Sequence, residues 1–145
     1  MAFRGTFDHT FDAKNRLTVP VKFRASLSDG VVVAKGVERC VSVWTPDEYD
    51  AFVESALGQL NPLSPEARDL QRYFSANAVE TELDSAGRIM VPAFLLDHGS
   101  LGKEVVLFKG RSKSCFHLID VTERFLKFVH DLDAELGPIT FHQKV

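Results

Sequence analysis

The chain has 145 residues, of which 45% are hydrophobic and 26% charged, and its net charge is −3. That length holds one globular domain or two small ones joined tightly. It contains no apolar run of about 18 residues, which excludes a membrane-spanning helix on sequence grounds.

Charge is unevenly placed. Six Lys/Arg stand against three Asp/Glu in the first 35 residues, and eleven against seventeen in the rest. A basic stretch of this kind can mark an anionic partner at one surface. The opening residues, MAFRGTFDHT, lack the apolar core of a secretory signal, so a cytoplasmic location is expected.

In chain order, Phe7, His9 and Phe11 alternate with polar residues and predict a half-buried strand. DAKNRLTVP (12–20) then predicts a tight turn. Asp12 suits an Asx-type turn that accepts backbone N–H groups, and Asn15 tolerates a positive φ. The shape does not require Arg16. An Asp12–Arg16 ion pair is one account of it, although an exposed pair contributes under about 1 kcal/mol. A short strand, Pro20 and one helical turn carrying Lys22 and Arg24 follow; a solvated face is the plain reading of those two cations. VVVAKG (31–36) and Cys40–Trp44 read as two strands. Thr45-Pro46-Asp47-Glu48 opens a helix, with a cap, a proline at the first helical position and an acid three residues after the cap. Its apolar stripe is Tyr49, Phe52, Val53, Ala56 and Leu57. Gly58 and Asn61-Pro62 break the chain. Ser64 and Pro65 open a linking helix that runs to about Phe74, with Leu70 and Phe74 facing inward.

The same order then returns. DSAGRIMVP (84–92) repeats the first turn at an offset of 72 residues, aligning Asp84, Gly87 and Arg88 with Asp12, Asn15 and Arg16. Val79, Thr81 and Leu83 match Phe7, His9 and Phe11. VVLFKG (105–110) and Cys115–Ile119 match the first pair of strands. Asp120 to Glu123 opens a closing helix with Val121, Phe125, Phe128, Val129 and Leu132 as its stripe. Asp133 and Glu135 read as a solvated end, and GPITFHQKV as a tail. Units of about 55–60 residues bury too little surface alone, so the two are expected to pack together, with strands exchanged.

His9 and His117 read as structural, and Cys40 and Cys115 as buried free thiols. These residues do not give a zinc spacing. No nucleophile elbow, phosphate loop or nucleotide-binding glycine pattern occurs. No metal, no cofactor and no enzymatic activity are therefore expected.

FRGTFDHTFDAKNRLTVPVKFRASL resembles the N-terminal signature of MraZ proteins, and ELDSAGRIMVPAFL resembles that family's second signature. The likeness covers nearly the whole chain. It implies an α+β, mainly β fold: two tandem AbrB/SpoVT-type swapped-hairpin repeats in one pseudo-symmetric, β-barrel-like unit with flanking helices. The implied division is a DNA-binding repeat at 1–60, a linking helix at 61–76, and a second repeat plus tail at 77–145. It further implies a sequence-specific DNA-binding regulator, a repressor of its own division and cell-wall gene cluster. Such a protein would be nucleoid-associated and form a ring-shaped homo-oligomer, octamer-like in relatives. Its partner would be double-stranded DNA upstream of its own operon.

Asn15 stands where the family usually has glycine. Ser85 and Ala86 leave Arg88 as the one charge of the second turn, which makes that turn the poorer DNA contact and its arginine a candidate brace. On this reading Arg16 reads bases beside Asn15, while Lys14, Lys22, Arg24 and Arg4 hold phosphates. An AbrB-like antitoxin and a purely structural ring remain as alternatives.

Overall fold

The computed structural model describes residues 6–36, 39–109 and 115–120. Arg4, the closing helix expected from Asp120 onward, Asp133, Glu135 and the tail at 137–145 lie outside the described residues, apart from Asp120 itself.

Among the described residues, eight strands and four helices follow in order: β1 (Thr6–Thr10), β2 (Arg16–Thr18), α1 (Val21–Arg24), β3 (Val31–Lys35), β4 (Val41–Trp44), α2 (Pro46–Leu57), α3 (Pro65–Ala76), β5 (Ala78–Thr81), β6 (Arg88–Met90), α4 (Ala93–Gly99), β7 (Glu104–Lys109) and β8 (Cys115–Asp120). The fold is α+β and mainly β. Six strands make one antiparallel sheet in the order β1-β7-β8-β4-β3-β5, and β2 and β6 make a separate two-stranded ribbon. Among the described residues the strands do not close into a barrel: β1 and β5 each pair on one side only.

The repeats exchange strands. β1 of the first pairs with β7 of the second, and β5 of the second pairs with β3 of the first. A pseudo-twofold axis runs between β4 and β8 in the sheet and through the Leu17–Ile89 rung of the ribbon. Neither repeat could fill its own sheet, which is why units this short are stable only together.

The period of two decides what is buried. Val31, Val33, Val41, Val43, Val105, Leu107, Phe116 and Leu118 point to one face of the sheet. Leu17 and Ile89 from the ribbon, Val19, Val91, Phe23 and Leu95 close over them and complete the main core. On the opposite face, Val32, Ala34, Trp44 and Cys115 form a smaller cluster against Tyr49 and Phe52 of α2. Phe52 stacks on Trp44 at 5.0 Å and meets Phe74 of α3 edge-on at 5.7 Å, so α2 ties α3 to the sheet.

Both helix starts carry the caps their sequences suggest. The Thr45 hydroxyl accepts from the N–H of Glu48 at 3.4 Å, and that of Ser64 from Ala67 at 3.1 Å. The proline after each cap has no N–H to leave unsatisfied.

Candidate nucleic-acid interface

The two repeated turns sit on the ribbon and are built alike. In the first, Asp12 Oδ1 accepts the N–H groups of Lys14 (2.8 Å) and Arg16 (2.9 Å), and its Oδ2 accepts Arg16 Nε at 2.7 Å. The Asp12 N–H donates to the Arg16 carbonyl at 3.0 Å and closes the loop. In the second, Asp84 accepts Ala86, Arg88 and the Arg88 Nε at 2.9, 2.9 and 2.8 Å. The residues before the arginines have positive φ, 58° at Asn15 and 76° at Gly87, the left-handed region that Asn and Gly enter at least cost.

Each aspartate is held below the usual carboxylate range. The N–H of the arginine four residues on is the main cause; partial desolvation opposes it, and the guanidinium adds to it. Both carboxylates therefore stay ionised and keep the turns closed.

The ion pair does not use up the arginine. It engages Nε alone, and no hydrogen bond among the described residues holds either Nη group of Arg16 or Arg88. Brace and reading head are thus compatible in one side chain: the Nε edge fixes the guanidinium, and the side chain remains partly exposed.

β2 and β6 pair as Arg16↔Met90, Leu17↔Ile89 and Thr18↔Arg88. Leu17 and Ile89 are fully buried. By alternation, Arg16, Thr18, Arg88 and Met90 share the outer face. Arg16 and Arg88 are diagonal neighbours there, a relation that sets residues about 7–8 Å apart. The structure therefore brings the two turn arginines onto one surface. Met90, opposite Arg16, is 56% exposed.

The other predicted cations divide. Lys14 and Asn15 are exposed on the first turn beside Arg16. Lys22 is exposed on α1, its Nζ 5.3 Å from the Phe23 ring centre. Arg24 crosses to the second turn: its Nε donates to the Val19 carbonyl at 2.9 Å, and its side chain lies against Gly87. The second turn thus carries two cations, Arg88 and Arg24, against Asp84, just as the first carries Lys14 and Arg16 against Asp12. Sequence reasoning missed this because Arg24 is 63 positions from Gly87. It also missed Thr18 and Met90, although the alternation around Leu17 and Ile89 marks both as outward.

His117 lies between two thiols, 3.8 Å from Cys40 Sγ and 3.9 Å from Cys115 Sγ. Burial pulls its pKa down to about 4 and pushes the Cys115 thiol up, so the imidazole and that thiol are both neutral near pH 7. Both cysteines are buried thiols. Among the described residues no cluster of three or more His, Cys, Asp or Glu is arranged to hold a metal. No helix among them is long and apolar enough to cross a membrane.

A family model described as "MraZ protein, putative antitoxin-like" matches the chain twice, at residues 2–73 and 74–129. A "Transcriptional regulator MraZ" of Lachnoclostridium phytofermentans is 44% identical over 111 residues, 77% of each chain. Proteins of the same name from Thermoanaerobacter pseudethanolicus and Desulfitobacterium hafniense are 40% and 41% identical. The first covers 70% of this chain and 71% of its own, the second 72% and 73%.

Proposed function

This chain belongs to the MraZ family, matched in both of its repeats, and from that we propose a DNA-binding transcriptional regulator that meets its target with the outer face of the β2–β6 ribbon. The observation that supports this is the pair of turn arginines on one face, each fixed through Nε and open at Nη. Arginine offers two parallel N–H groups to the N7 and O6 of guanine, a match that discriminates by about 1–3 kcal/mol. Arg16 takes that role, with Asn15 beside it. Lys14 holds a phosphate next to it, and Lys22, Arg24 and Arg4 complete the electrostatic contact.

The finer reading follows the family. The protein represses its own division and cell-wall gene cluster, acts in the cytoplasm at the nucleoid, and binds double-stranded DNA upstream of its own operon. Residues 1–60 form the DNA-binding repeat, 61–76 the link, and 77–145 the second repeat and tail. One ribbon offers few contacts, so a closed ring of subunits strengthens binding by engaging spaced copies of a short site. The edges of the sheet at β1 and β5, unpaired among the described residues, and the half-buried apolar stripe of α2 support self-association.

A gel shift with the region upstream of the gene tests the proposal. The wild-type chain should retain that fragment against excess unrelated duplex, less so as salt rises. Equal affinity for both fragments would sink it. The words "antitoxin-like" in the family description favour a second reading, in which the same ribbon binds DNA and the chain also neutralises a toxin. Rescue of growth from a co-expressed toxin would establish it. Against it stands the use of the second half as a complete folded repeat.

A further inference from the structure

We infer that the second turn is a phosphate-binding site assembled from both repeats, with Arg88 from its own repeat and Arg24 and Thr18 from the other. The inference rests on the DNA-binding reading above and adds a contact to it.

The packing of Arg24 comes first. A Cβ built on Gly87 would run into Nε, Cζ and Cδ of Arg24, so this guanidinium lies directly over the glycine. Arg24 Nε donates to the Val19 carbonyl at 2.9 Å, while the Val19 N–H donates to the Gly87 carbonyl at 2.9 Å. Those two bonds bracket the turn and fix the cation against it. The charge balance comes second. The ion pairs among the described residues are Arg16–Asp12, Arg72–Asp69 and Arg88–Asp84, so none of the described carboxylates is within ion-pair distance of Arg24. A guanidinium cannot shed its proton in a protein. A fixed cation with no ion-pair partner among the described residues therefore lies against Gly87, the residue before Arg88. Thr18 is the third element, exposed and directly opposite Arg88 on the outer face.

Two guanidinium groups and a hydroxyl, brought to one turn from two strands and a helix, suit the oxygens of a phosphodiester, which take charge-assisted bonds from arginine forks. The first turn lacks this arrangement. At the 72-residue offset, Leu96 stands where Arg24 would be and Met90 where Thr18 would be. Leu96 packs against the core instead. The ribbon is thus unequal end to end: one end holds an arginine beside an apolar neighbour, the other grips backbone phosphate.

The test is fluorescence anisotropy with the full chain and two labelled duplexes, the upstream region and a scrambled sequence of equal length, over a series of salt concentrations. Arg88→Ala and Arg24→Ala should each weaken both duplexes by the same factor, roughly tenfold. Each should also reduce the salt slope by about 0.9. Arg24→Lys should restore the slope. Should Arg24→Ala fail to fold by circular dichroism, Arg88→Ala and Thr18→Val carry the test, the latter weakening both duplexes equally with the slope unchanged. If Arg88 and Arg24 variants match wild type while Arg16→Ala loses the upstream duplex, this site is wrong and the DNA-binding reading stands. An Arg24→Lys slope no steeper than that of Arg24→Ala makes Arg24 a brace only and also overturns the site. A wild-type chain that binds neither duplex overturns both readings.

Discussion

Val19 donates its backbone N–H to the carbonyl of Gly87 at 2.9 Å, joining the first repeat to the turn of the second. The reciprocal bond runs from Val91 to Asn15 at 3.0 Å. Each turn, closed by its own local bonds, is therefore also tied to the strand of the other repeat. This interlock makes the two D-x-x-x-R turns parts of one surface.

Arg16→Ala should lose most specific binding to the upstream duplex, on the order of ten- to a hundredfold. It removes the Nη donors and frees Asp12. Lys14→Ala should weaken specific and scrambled duplexes alike and flatten the salt dependence by about one ion. Competition gel shifts on folded variants separate the two. Equal behaviour of Arg16→Ala and wild type would move the reading head elsewhere.

Gly87→Ala should cost more stability than Asn15→Ala. Both positions have positive φ, which costs a residue with a Cβ about 1–2 kcal/mol. At Gly87 the methyl also displaces Arg24, whereas Asn15 is exposed. Asn15→Gly should be nearly neutral. Urea denaturation midpoints of the three variants check the order.

Stability should fall as pH drops from about 6.5 to about 4. His117 is neutral in the fold because burial lowers its pKa from 6.5 to about 4. The unfolded chain takes up that proton earlier, so the contribution is complete above 6.5 and is lost through this window. The full loss is about 3 kcal/mol. Asp12 and Asp84, held low, add their own loss only as pH falls below 3.8. Denaturation at a series of pH values should show the first decline flattened in His117→Gln.

Self-association should be visible by light scattering at micromolar concentration, with a mass several times the 16.2 kDa of the chain. The stripe Tyr49, Phe52, Val53, Ala56 and Leu57 gives α2 no fully buried residue, which leaves apolar surface for a neighbour. A monomer under these conditions would remove the ring from the proposal.

Local patterns determined a good deal by themselves. The valine-rich runs in 31–34 and 41–44, the caps at Thr45 and Ser64, and the Asp-to-Arg turn with Asn15 or Gly87 at positive φ are all short-range features. A residue and its neighbours within four positions suffice to specify them. The 72-residue offset also made the duplication, and hence the need for joint packing, legible. The tertiary structure decided which strands were exchanged, that β2 pairs with β6, and that Arg24 serves the second turn instead of the first. Those relations join residues 44 to 102 positions apart, from Ala34 and Ala78 at the near end to Thr6 and Phe108 at the far end. No local period encodes them. They follow from the requirement that one core bury Leu17 and Ile89 together, and that burial alone turns both arginines to the same side.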